Sequence, residues 1–192
     1  MLKKLLFVVM FVGLLFGAQR EVDKSFVLTT VDNQKIHIHI KKNGIEVKEY
    51  PGKVIILDFF GKRCPPCRME MPILGDLQTK LKDKMQIIGL HVQEPLSKAD
   101  LQELYRRGIN YPIVDYLPNK ENQAFVGFIG QLTGWSGSIP YMLFFDPKGT
   151  YQGYHIGMAN EESLKKFIEK LYNTSKKSTP KTENNTTKKA SK

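Results

Sequence analysis

"LDFFGKRCPPCRMEMP" spans Leu57 to Pro72 and holds both cysteines of the 192-residue chain, Cys64 and Cys67, separated by Pro65 and Pro66. The segment leading into it, "KVIILDFF" from Lys53 to Phe60, is an apolar run interrupted by one acid, Asp58. Such a run reads as a central strand buried on both faces. The segment that follows, "PPCRMEMPILGDLQTKLKDK", has helical spacing, with Pro72 inside it as the expected site of a kink. The cysteines therefore stand where a buried strand passes into a helix. Three roles are open to such a pair: a structural disulfide, two metal ligands or a redox centre.

Working outward, "SFVLTTV" (Ser25–Val31) and "KIHIHIK" (Lys35–Lys41) alternate apolar and polar residues around Asp32-Asn33, the pattern of a hairpin. "IEVKEY" follows the turn signal Asn43-Gly44 as a third extended piece. "MQIIGLHV" (Met85–Val92) predicts a second buried strand. "SKADLQELYRRG" predicts a helix with Ser97 as N-cap and Gly108 as its stop. "YPIVDY" reads as a short strand and "NKENQAFVGFIGQL" as a helix. "YMLFFD" and "YQGYHIG" flank Asp146-Pro-Lys-Gly149 as a second hairpin, and "NEESLKKFIEKLY" as an amphipathic helix capped by Asn160. Strand–helix–strand–helix followed by hairpin and helix predicts an α/β fold: a central mixed sheet flanked by helices, with an N-terminal β-hairpin extension.

The two ends read differently from this core. Lys3 and Lys4 precede an apolar run from Leu5 to Phe16, too short for a span of about 20 residues. This fits a secretory signal peptide over residues 1–18, cut after Ala18, with an uncleaved anchor as the alternative. Either places residues from 19 onward outside the cytoplasm. Residues 173–192 carry six lysines, one glutamate and no aromatic residue, and read as a disordered basic tail. Glu183, Asn185 and Thr187 in it fit an extended bacterial N-glycosylation sequon. Of the formal net charge of +10, only +3 then belongs to residues 19–172, a single domain. The basic balance is a property of the ends, so no nucleic-acid site is read from it.

Closing a four-residue loop stabilises by only about 2 kcal/mol in the chain-entropy estimate, so Cys64–Cys67 would be a weak staple. A zinc site needs two further ligands. Of the four histidines, His37 and His39 share one strand face, which reads as solvated, and none is tied to the cysteines by spacing. The redox centre is the favoured reading. Cys64, at the start of the helix, meets the unpaired N–H groups that favour a thiolate. Lys62 and Arg63 precede it and either add positive charge or are merely solvated. Cys64 is then the attacking thiol and Cys67, one turn on, the resolving one. No other cofactor is expected. Asp58 in its apolar strand would be a costly buried carboxylate, with a raised pKa that suits it to accept a proton from Cys67.

A C-x-x-C opening a helix after a buried strand is a thioredoxin-like signature. From Ser25 to Tyr172 the chain resembles the extracytoplasmic thioredoxin-like proteins of the TlpA/ResA/CcmG (DsbE) group. "CPPCRMEMP" fits C-x-x-C-x-x-E-x-P, and "GSIPYMLFFDPKG" fits the group's proline loop and hairpin. The resemblance implies a thiol–disulfide oxidoreductase, in this group a periplasmic reductase of protein disulfides. Its implied substrate is apocytochrome c, and its implied electron donor a membrane thiol carrier of the DsbD/CcdA type. It makes Glu70 a cleft acid and Pro140 a cis-proline that leaves the Ile139 backbone free to pair with substrate. Pro66 matches the proline of thioredoxins, and Pro65 the variable position. Trp135, five residues before Pro140, is either a cleft wall or packing. Arg63 stands where the group usually has tryptophan, and Ile139 where many members have threonine. A disulfide oxidase or isomerase, and a cysteine-based metal carrier, are the alternatives.

Overall fold

The computed structural model describes residues 23–177. The expected signal segment, the expected glycosylation sequon and most of the expected basic tail lie outside them. The chain runs β1 (Lys24–Thr29), β2 (Lys35–Lys41), β3 (Gly44–Val47), β4 (Val54–Phe60), α1 (Pro65–Lys80), β5 (Met85–His91), α2 (Lys98–Arg106), β6 (Ile113–Asp115), α3 (Lys120–Thr133), β7 (Tyr141–Phe145), β8 (Tyr151–Ile156) and α4 (Glu161–Lys177). The last helix passes the expected boundary at Tyr172 and buries Ser175. The first residues of the expected tail are thus a further turn of helix. Among the described residues no helix is long and apolar enough to cross a membrane.

β1–β2–β3 form an antiparallel sheet of their own. The other five strands form a mixed sheet in the order β6-β5-β4-β7-β8. β4 pairs in parallel with β5, and β5 with β6, through the crossovers of α1 and α2. β7 and β8 add an antiparallel hairpin on the other side of β4. β4 is therefore the central strand, and all seven of its residues are buried.

Strand alternation divides the core in two. Val54, Ile56 and Phe60 face one way, into a cluster with Leu74 and Leu77 of α1, Ile168 of α4, and both cysteines. Ile55, Leu57 and Phe59 face the other, toward Phe125 and Ile129 of α3 and the apolar faces of β1 and β2. Asp58 falls in the first set, so its side chain enters the core on the α1 side. The small sheet is tied on by hydrogen bonds as well as packing. Asn122 of α3 accepts from Thr29 N and donates to the carbonyls of Thr29 and Asp115. Ile45 N donates to Gly149 O at 2.8 Å. Gly149 has φ of 81°, and a Cβ there would lie 1.8 Å from Ile45 O. Only glycine allows that approach.

α1 runs unbroken through Pro72. Gly108, the stop after α2, packs its backbone against this proline, and a Cβ on Gly75 would lie 1.9 Å from Gly108 O. The close approach fixes α1 beside the end of α2.

Candidate active site

β4 ends at Phe60, and three residues bridge it to the helix. Gly61 O accepts from Cys64 N at 3.2 Å, which closes the turn. Cys64 is the N-cap residue of α1, in extended conformation. Pro65 and Pro66 fill the first two helical positions, where a missing N–H costs nothing. The first free donor of the helix is therefore Cys67 N, and it points at Cys64 Sγ, 3.3 Å away. No acid lies in the first turn. Once reduced, a Cys64 thiolate would meet a backbone donor and the positive end of the helix with no opposing charge in that turn.

The cysteines are joined as a disulfide. Both cysteines are buried in the oxidised protein, Cys64 (6% exposed) less deeply than Cys67 (2%). Ile139 O stands 3.8 Å from Cys64 Sγ. The Ile139–Pro140 peptide is cis. Pro140 is buried and Ile139 half-buried, packed against both core clusters beside the disulfide.

Two acids are buried on the elements that flank the disulfide, Asp58 on β4 and Glu70 on α1. Asp58 is 2% exposed and Glu70 1%. Burial, then the neighbouring Glu70 carboxylate, hold the Asp58 carboxyl well above the usual range; a hydrogen bond from Tyr111 opposes them. Asp58 Oδ1 has no hydrogen-bond partner among the described residues. Burial raises Glu70 too, while Ala159 N, which donates to its Oε1 at 2.7 Å, and the charge of His155 pull it down. Glu70 thus links α1 to the junction of β8 and α4.

The AhpC/TSA family model matches residues 24–153, most of the described chain. The chain belongs to the AhpC/TSA family. Thiol-disulfide oxidoreductase ResA of Bacillus thuringiensis (strain Al Hakam) is 28% identical over 150 residues, covering 77% of this chain and 75% of that protein. A thiol:disulfide interchange protein of the thioredoxin family from Chlorobium tepidum TLS matches with a TM-score of 0.56 at 23% identity, covering 81% of this chain and 99% of that one. The exposed lipoprotein thioredoxin Etrx1 of Streptococcus pneumoniae strain TIGR4 matches with a TM-score of 0.56 at 19% identity, covering 77% and 100%. The fold is thioredoxin-like, and this AhpC/TSA family member is of the TlpA/ResA/CcmG type. It is a thiol–disulfide oxidoreductase with Cys64 and Cys67 as its C-x-x-C pair.

Other sequence candidates lie elsewhere. Trp135 packs with Phe59 (ring centroids 4.7 Å apart) in the second core, not in the cluster that holds the cysteines. Its indole N–H donates to Ser138 O at 2.7 Å, so it braces the loop before Pro140. Lys62 and Arg63 are not aimed at the thiol. Lys62 Nζ binds Asp100 at 2.8 Å and Pro95 O, and Arg63 reaches Glu94 at 2.5 Å. His37, exposed, and His39, half-buried, stay on the small sheet with Glu49 and Asp23 as partners. Among the described residues, no three His, Cys, Asp or Glu side chains converge as a metal site.

Three features escaped the sequence reading. Tyr111 reaches Asp58, as a long-range contact no spacing announces. Gln93 accepts from Arg63 N at 2.9 Å and lies over Gly61, so the loop after β5 holds the approach to Cys64. His91, fully buried at the end of β5, pairs with Asp115 at 3.0 Å and packs on Phe60. Asp115 in turn accepts from Leu96 N, which anchors the same loop. His91 ends an apolar strand in the sequence, the one available signal of burial.

Proposed function

We propose that this protein is an extracytoplasmic reductase of protein disulfides that acts on apocytochrome c during cytochrome c maturation. The observation that carries the reading is the pairing of a helix-capping Cys64 with a more deeply buried Cys67 on the same side of the sheet as Asp58. In the reduced protein the Cys64 thiolate attacks one sulfur of a substrate disulfide. A mixed disulfide forms, and the other substrate sulfur leaves as a thiolate. Asp58, ionised, takes the proton of Cys67. The Cys67 thiolate then attacks Cys64 Sγ and expels the second substrate thiolate. The substrate has gained two electrons, and the protein is left as the Cys64–Cys67 disulfide. Ile139 and Pro140 seat the extended substrate beside Cys64, with Pro65 and Pro66 shaping the rim.

A raised Asp58 carboxyl suits this work. Its basicity lies closer to that of a thiol than an ordinary carboxylate's does, so proton transfer is less uphill. Location outside the cytoplasm is supported by the signal-like N-terminal segment and by an exposed lipoprotein among the structural neighbours. In an oxidising compartment the pair needs a supply of two electrons per cycle, the role given to a membrane thiol carrier of the DsbD/CcdA type.

The direction is tested by equilibrating the Cys64–Cys67 pair with a glutathione buffer series. A potential near that of thioredoxin, about −270 mV, supports the reductase, and one near DsbA's, about −120 mV, rejects it. The cytochrome assignment is tested separately. A peptide with an oxidised C-x-x-C-H sequence should be reduced faster than an unrelated disulfide peptide, and equal rates would leave only a general reductase.

A further inference from the structure

Next to the two residues that precede Cys64 lies a cleft of about 340 Å³ between α1 and α2. Lys62, Arg63, Arg68, Glu94, Glu103 and Arg107 are among the residues that line it. Its charges fall into two groups. Lys62 and Arg63 are matched by Asp100 and Glu94. The second group is not balanced. Arg107 and Arg68 in the lining reach Glu103 Oε1 at 2.7 Å and 3.8 Å, and Arg106, outside the lining, reaches its Oε2 at 2.7 Å. Three guanidinium groups thus share one carboxylate.

Arg68 is the least engaged of the three. Its one ion pair is long, its side chain is 42% exposed, and its backbone N–H donates to Cys64 O at 3.0 Å. It is therefore one helical turn from the outer cysteine. Arg107 carries a second sign of an unmet acceptor. Its Nε is enclosed and has no hydrogen-bond partner among the described residues. A planar guanidinium pairs best with a carboxylate, which accepts two parallel N–H groups.

We propose that this cleft is a subsite for an acidic side chain of the substrate polypeptide, placed within a few residues of the substrate cysteine. The inference rests on the disulfide-exchange reading and adds a substrate preference to it. The acid enters between Arg68 and Arg107 and shares their guanidinium groups with Glu103. The covalent chemistry at Cys64 is unchanged; the subsite lowers the energy of the encounter and of the mixed disulfide alike. Arg68 and Arg107 are specificity-determining residues in this arrangement, and Glu103 is the internal competitor for them.

The test uses three disulfide peptides that differ only in the residue flanking the cysteine: Glu, Gln or Lys. The readout is the ratio of kcat/KM values for exchange with the full-length protein. An exposed ion pair contributes up to about 1 kcal/mol, so the Glu peptide should exceed the Gln peptide by up to about fivefold, with the Lys peptide lowest. Salt should shrink the ratio. Arg68→Gln should bring it close to one. Glu103→Gln removes the competitor and should raise it, an opposite sign that partial unfolding of either variant would not produce. Equal rates for the three peptides with wild-type protein would overturn the subsite while leaving disulfide exchange intact. No exchange with any of them would remove the reading on which it rests, and the subsite with it.

Discussion

Inside the core, the Tyr111 hydroxyl lies 3.5 Å from Asp58 Oδ2, in a space that Gly89 leaves open. Gly89 is the β5 residue in register with Asp58. A Cβ at Gly89 would sit 3.0 Å from the Phe60 ring and 3.1 Å from the Tyr111 ring. A side chain at that position would crowd the phenol. The strand "MQIIGLH" thus gives up a side chain at the one place where a ring from the segment before β6 packs across it toward the buried acid.

Tyr111 donates to Asp58 and draws its carboxyl down, against the upward push of burial and Glu70. Tyr111→Phe removes the donor without changing the ring. The pH profile of the Cys67 resolution step should move upward, by up to about one unit for a hydrogen bond worth 0.5–1.5 kcal/mol. Stopped-flow decay of a mixed disulfide, followed from pH 5 to 9, measures it. A profile that stays in place assigns Tyr111 to packing alone.

Glu70→Gln should act with the opposite sign. The glutamine carbonyl still accepts from Ala159 N, so the tie between α1 and the β8–α4 junction survives. The negative charge that raises Asp58 is gone. The same profile should then move to lower pH. An upward move would mean that Glu70 meets Asp58 by some route other than charge.

The order of thiol attack can be read by trapping. Cys64 caps the helix and is the less deeply buried of the two cysteines. Cys67→Ser should accumulate substrates as mixed disulfides with Cys64, visible as adducts on non-reducing gels. Cys64→Ser should trap little, because Cys67 lacks the helix-capping position that favours a thiolate. Equal trapping by the two variants would reverse or dissolve the assignment.

Much of this was open to reading in the chain itself, for physical reasons. A strand buried on both faces leaves an unbroken apolar run, so β4 was visible, and with it the one acid that interrupts it. Helix entry needs a cap and tolerates proline at its first positions, so the start of α1 could be placed on Cys64. The small sheet also followed from period-two alternation, although its third strand joins it by pairing with β2 and by the Gly149 contact, which spacing does not carry. What stayed hidden depends on side chains that meet from distant segments. Tyr111 is 53 residues from Asp58, and Asp115 is 24 from His91. Lys62 and Arg63 looked like neighbours of a thiolate because they precede it, but Glu94 and Asp100 turn them aside. Trp135 looked equally suited to the cleft and to packing, and the packing on Phe59 came from α3's approach to the sheet.

Asp58 also makes a stability prediction whose sign can be fixed. Its carboxyl is raised in the folded protein, whereas in the unfolded chain it titrates near the ordinary value of about 3.9. Between those two pH values the folded state holds a proton that the unfolded state has lost. Stability therefore falls as pH rises from about 4 and levels off once Asp58 ionises in the fold. Asp58→Asn removes that loss, and its amide can still accept from Tyr111. The variant should match wild type near pH 4 and be more stable at neutral pH, by about 1.4 kcal/mol for each unit by which the carboxyl is raised. Denaturant unfolding of the oxidised proteins from pH 4 to 8 gives both curves. A gain of the same size at pH 4 and pH 8 would show that Asn improves packing and that no buried charge had been relieved. The cost of holding Asp58 in the core at neutral pH would then vanish from the account, and with it the argument that the acid is kept there for proton transfer at Cys67.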